Sequence, residues 1–158
     1  MLIKNGTLIT AAETFKADIL IEGEKICALF APESEVSRLW TGDFIDATGK
    51  FITPGGIDPH CHFDLPMFGT VSSDDHYTGH KAAAFGGTTT AMDFAVMESP
   101  SPEIGRGVRG EGVFRHSMDE WLEKAQNAAI DYSFHMNLTR FDDSVAAEIP
   151  ALVEMGVT

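Results

Sequence analysis

Cysteine is nearly absent from this chain. Its two cysteines, Cys27 and Cys61, among 158 residues cannot build a disulfide framework, and they read as free thiols of a reducing compartment. Basic side chains are also scarce: 11 Lys and Arg stand against 24 Asp and Glu, a formal net charge of -13. Such a surface repels a phosphate backbone, and the only basic cluster is Arg106, Arg109 and Arg115, so no nucleic-acid partner is expected. No apolar run is long enough to span a bilayer. The opening Met1-Leu2-Ile3-Lys4-Asn5-Gly6 lacks the basic and apolar regions of a secretory signal, which predicts a cytoplasmic protein with no membrane association. Internal repeats and low-complexity stretches are missing too. What is present is 44% apolar side chains, enough for a core.

Residues 1–53 have the rhythm of short β-structure. Leu2-Ile3, an Asn5-Gly6 turn, Thr7–Thr10, Ala17–Ile21, Gly23 in a turn and Ile26–Leu29 suggest an antiparallel meander without helices, separated by a looser stretch from Ile45–Ile52. Pro54-Gly55-Gly56 then marks a boundary. Residues 54–158 alternate strand and helix, the sign of a parallel sheet or barrel. Strands are expected at Ile57–His62, Thr88–Phe94 and Tyr132–Leu138, with Val157-Thr158 starting a fourth. A helix over Asp74–Phe85 should end at Gly86-Gly87. Ser117-Met118-Asp119-Glu120 reads as a capping box ahead of a helix that presents Trp121, Leu122, Ala125, Ala128 and Ala129 on one face. Pro150 should kink or divide the helical sequence after Asp142. Three β/α units and a strand stub cannot close an eight-stranded barrel, which typically takes about 250 residues.

The chemistry is concentrated in Gly55-Gly56-Ile57-Asp58-Pro59-His60-Cys61-His62-Phe63-Asp64. In a strand, residues two apart share a face, so His60 and His62 can offer two imidazoles to one cation. The carboxyl end of the first strand of a β/α series is where barrel enzymes assemble their sites. Asp58 shares that face and either orients an imidazole or bonds to nearby backbone. Asp93, at the end of the second strand, has the same two readings. Cys61 points the other way and reads as a buried thiol.

Several linked segments, in order along nearly the whole chain, carry a resemblance. Pro54–His62, Gly69-Thr70-Val71-Ser72-Ser73-Asp74-Asp75, Ala82–Thr90 with Asp93-Phe94, and Ile130–Met136 together resemble the hydantoinase and dihydropyrimidinase family of cyclic amidohydrolases. The resemblance implies the amino-terminal portion of such an enzyme, with an incomplete (β/α)8 TIM barrel of three β/α units preceded by an N-terminal β-sandwich segment. It implies hydrolysis of the cyclic amide of hydantoins or dihydropyrimidines by a divalent metal pair, two zinc ions per complete subunit, with His60 and His62 as metal ligands. Leu65 and Phe68, with Met67 between them, would help form the pocket for the substrate's exocyclic group. The family's partners would be a small cyclic amide and further copies of the chain, as a dimer or tetramer.

The bridging lysine and later ligands of the family would fall beyond Thr158. No catalytic residue is therefore expected within this chain, and the span alone should be inert. Alternatives are a non-catalytic scaffold relative, which the intact His60 and His62 disfavour, and neighbours such as allantoinase or dihydroorotase. Phe63 stands where dihydroorotases have an arginine. The segment Val96–His116 is longer than the family pattern. Within it Gly105-Arg106-Gly107-Val108-Arg109-Gly110 spells a dinucleotide fingerprint, but Ser99-Pro100-Ser101-Pro102 precedes it in place of a buried strand. His76 and His80 are expected on a solvated or lightly packed helix face, and His135 as a hydrogen-bonded core or site-lining residue.

Overall fold

The computed structural model describes residues 1–67, 69–97 and 113–157. The chain divides into two compact units, Met1–Pro54 and Gly55–Thr158. Among the described residues no helix is long and apolar enough to cross a membrane.

In the first unit, β1 (Leu2–Ile9), β2 (Thr14–Glu22) and β3 (Lys25–Phe30) pair antiparallel in sequence order. A short helix α1 (Glu35–Leu39) follows, capped by the Ser34 hydroxyl on the Ser37 amide. Then β4 (Phe44–Asp46) and β5 (Phe51–Ile52) both return alongside β1 in parallel. The unit is thus neither helix-free nor wholly antiparallel. After β3 the chain crosses through α1 and not through a hairpin turn, so the next strands arrive pointing the same way as β1. Leu8, Ala17 and Ile19 form the core, with Ile3, Phe15, Ile21 and Ile52 packed on it. Asp18, fully buried, accepts hydrogen bonds from the Asn5 amide at 2.7 Å and the Ser37 hydroxyl, which ties α1 to the sheet.

The second unit is mixed α/β, and its main sheet is parallel. Strands β6 (Gly56–Cys61), β9 (Thr88–Val96) and β10 (Asp131–Asn137) lie in the order β10-β9-β6. A small antiparallel pair, β7 (Pro66–Met67) and β8 (Thr70–Val71), follows β6. Helix α2 (His76–Phe85) begins with a capping box between Asp75 and Thr78. Gly87, at φ +88°, takes the left-handed conformation that lets the chain leave α2 and enter β9 directly. Residues alternate along β9: Ala91, Asp93 and Ala95 are buried, while Met92, Phe94 and Val96 on the other face are half-buried.

Helix α3 (Val113–Lys124) contradicts the expected capping box, because Ser117 lies inside the helix and is fully buried. Near its start the Phe114 amide donates to the Glu148 carboxylate at 3.1 Å. A tertiary partner thus satisfies an amide of the first turn, upstream of the cap expected at Ser117. The buried stripe is Phe114, Met118, Trp121 and Ala125, whereas Leu122 is exposed. Helix α4 (Asp143–Glu154) runs unbroken through Pro150. Val145 and Leu152 flank the proline and belong to one core cluster, so packing on both sides holds the halves in line despite the lost hydrogen bond. Val157 follows α4 without entering a strand, and Thr158 lies outside the described residues.

A candidate metal centre at the end of β6

β6 ends at Cys61, one residue short of the expected strand end, yet the two histidines still share a side. Their ring centroids lie 5.1 Å apart with planes at 88°. Two imidazoles bound to one tetrahedral cation, with about 2.0–2.1 Å from nitrogen to metal, place their ring centres roughly 5 Å apart. The pair therefore already has the spacing a shared cation needs. Both residues are exposed, so the nitrogens are open to a ligand.

Phe94 supports this pair. Its ring centroid is 4.6 Å from that of His60 and 5.2 Å from that of His62, with His135 4.9 Å away on its other neighbour strand. The parallel register sets His135 opposite Phe94, and His135 Nε2 lies 3.1 Å from the Pro59 carbonyl oxygen. His135 therefore lines the site. The role of Phe94 was missed in sequence; the even-numbered face of β9, next to a strand bearing His60 and His62, was the signal for it.

The Asp58 carboxylate accepts the His60 amide at 3.1 Å. Cys61 faces away from the histidines, half-buried, and its thiol donates to the Met92 carbonyl at 3.3 Å. Burial, then the carboxylates of Asp93 and Asp58, push this thiol up to about 12. At neutral pH it is protonated, which removes it as a nucleophile or thiolate ligand. Leu65 is buried in the core cluster of this unit, where it contributes packing. Phe68, the other pocket residue expected from sequence, lies outside the described residues, as does the Gly105–Gly110 stretch.

On the helix side of the sheet the structure overturns one expectation. His76 and His80 are both completely buried, not on a solvated face. Their rings pack edge-on with centroids 5.6 Å apart, and Phe63 lies against both at 5.6 and 5.1 Å. Buried Asp93 sits beneath them and accepts the Phe94 amide at 2.7 Å and the Phe63 amide at 3.1 Å. Among the described residues no set of three or more His, Cys, Asp or Glu side chains is arranged to hold a metal. What this span presents is the facing histidine pair.

The chain is 40% identical to a D-hydantoinase of Geobacillus stearothermophilus over 154 residues, covering 97% of this chain and 30% of that enzyme. It is 41% identical to a D-hydantoinase of Streptomyces coelicolor, covering 99% and 32%. Over its length it is similar to proteins named D-hydantoinase and dihydropyrimidinase. The crystal structure of the dihydropyrimidinase from Brevibacillus agri superposes with a TM-score of 0.83 at 41% identity, covering 99% of this chain and 31% of that one. No protein-family model matches. The chain therefore spans about a third of the length of the relatives it matches.

Proposed function

We propose that this chain is the metal-anchoring portion of a metal-dependent cyclic amidase, which opens hydantoin or dihydropyrimidine rings to N-carbamoyl amino acids. The observation that carries the reading is the facing pair His60 and His62, 5.1 Å apart between ring centroids, in a chain similar along its length to enzymes named D-hydantoinase. In this reading β6, β9 and β10 are the first three strands of a (β/α)8 barrel, and the imidazoles stand at its active end. The residues present fit a divalent cation of the zinc type, for which imidazole is a favoured ligand. Such a cation, when bound, lowers the pKa of water and polarises the ring carbonyl.

The chain's own residues orient the ligands. Phe94 sets the tilt of both rings. Asp58 fixes the backbone of His60. Two imidazoles make half a tetrahedral shell, whereas catalytic zinc sites usually have three protein ligands and a water, so the full reaction needs groups beyond this pair. The test is a chimera in which this chain replaces the matching segment of the Geobacillus stearothermophilus D-hydantoinase. Ring opening is followed by loss of ultraviolet absorbance of hydantoin and dihydrouracil, and bound metal by elemental analysis. The reading predicts turnover by the chimera, lost in its His60→Ala and His62→Ala variants. The 158-residue chain alone is expected to bind zinc weakly and to turn over neither ring. A chimera that binds metal yet opens no cyclic amide, or one that His60→Ala leaves fully active, would overturn it.

A further inference from the structure

Asp93 lies on the helix-facing side of β9 and is 2% exposed. Its Oδ1 accepts the Phe94 amide and its Oδ2 the Phe63 amide. Phe63 immediately follows His62, and the Phe94 ring touches both imidazoles, so one carboxylate holds the backbone that follows the pair and that of the residue whose ring packs on it. A buried carboxylate needs compensation beyond two amides. His76 is the ring that packs against it: Nε2 lies 3.2 Å from Asp93 Oδ2, a close contact without hydrogen-bond alignment. On the far side of the same ring, Nδ1 lies 3.7 Å from Asp64 Oδ2.

Asp64 is two residues past His62 and sits at φ +49°, a left-handed conformation uncommon outside glycine that aspartate adopts more readily than most residues. The turn is fixed by the Asp64 amide on the Asp74 carbonyl at 3.0 Å, by Lys124 on the Asp64 carbonyl at 3.4 Å and by the His76 contact. Rings of Phe63, His80, Trp121 and Phe134 enclose His76, leaving it no other position.

We infer that His76 is a positioning residue for the His60 and His62 pair, its buried ring tying Asp93 to the Asp64 turn so that the two imidazoles stay face to face. The inference rests on the metal reading for its purpose, but not for its geometry. His76→Phe keeps an aromatic ring in the enclosure and removes both nitrogens, His76→Gln returns one polar group towards Asp93, and Asp64→Asn alters only the partly exposed partner. In the 158-residue chain, nuclear magnetic resonance reads the ring signals of His60 and His62 and the amides of Phe63 and Phe94, and a titration with cobalt(II) alone reads affinity.

His76→Phe is expected to move all four sets of signals and to weaken cobalt binding about tenfold, as loss of a ligand-orienting partner does. His76→Gln should recover most of that loss. If His76→Phe is unfolded, Asp64→Asn carries the test, with shifted His62 and Phe63 signals expected and unshifted signals overturning the inference. Unmoved signals with unchanged affinity in His76→Phe, or equal losses in the Phe and Gln variants, would reduce His76 to core packing. Cobalt binding that is indifferent to His60→Ala would instead defeat the metal reading, and the ring and amide signals would then decide the role of His76 by themselves.

Discussion

Gly79→Ala in α2 should destabilise the second unit, although the same change in an open helix stabilises. An alanine Cβ at this position would lie 2.1 Å from Phe63 Cε1 and 2.4 Å from Cδ1. The ring cannot simply slide along the helix, since His76 and His80 stand against it at centroid distances of 5.6 and 5.1 Å. Its backbone is also pinned by the amide bond to Asp93. Exchanging glycine for alanine in a helix interior contributes about 1 kcal/mol, while overpacking of this kind costs about 1–3 kcal/mol. The expected balance is a loss of about 1 kcal/mol, or roughly a 5 °C fall in Tm for a unit of this size. Urea unfolding followed by Trp121 fluorescence, in a Trp40→Phe background so that only the second unit reports, measures it. In a Phe63→Ala background the obstruction is gone, and Gly79→Ala should then stabilise by about 1 kcal/mol. The cycle yields a coupling of about 1–3 kcal/mol between neighbours. Equal stabilisation by Gly79→Ala in both backgrounds would refute the claim that Phe63 is wedged against α2.

Two further outcomes follow from the same neighbourhood. Burial first, then the nearby His76, hold His80 below the ordinary imidazole value, with Asp93 opposing them; the unfolded chain therefore takes up the proton first. Stability should be complete above about pH 6.5 and fall as pH drops below it, and His80→Gln should flatten that slope in urea midpoints measured from pH 7.5 to 5; an unchanged slope would exclude His80 as its source. At pH 8 a thiol reagent should modify exposed Cys27 quickly and Cys61 only after denaturation, as mass spectrometry of the labelled peptides would show; fast labelling of Cys61 in the folded chain would contradict its protonated, carbonyl-bonded state.

The histidine pair was legible in the sequence because it depends on one local rule. Period two in an extended strand sets His60 and His62 on one side whatever surrounds them. Strand and helix alternation after Gly56 was legible for the same reason, as was the end of α2 at Gly86-Gly87. The failures have distant causes. A capping box was read at Ser117 because its residues fit the local pattern, while the carboxylate that meets the start of α3 comes from Glu148, 34 residues later. Pro150 reads as a break until Val145 and Leu152 are seen in one core.

Helix α2 shows most clearly why hydrophobic patterning has limits. Its buried positions are His76, Gly79 and His80, a spacing of three and one that suits a helix face, but none of the three is an apolar side chain that a search for an amphipathic stripe would count. Tyr77 and Phe85, which such a search would count, are exposed. The two buried imidazoles pack among aromatic rings, His76 against the Asp93 carboxylate, and the glycine between them admits the Phe63 ring. Neighbouring residues of β9 thus serve opposite faces: Phe94 carries the imidazoles of the candidate site, and Asp93 receives the imidazole of α2. A change at His76 can therefore reach His60 and His62 through a single strand and the turn at Asp64, without passing through the hydrophobic core.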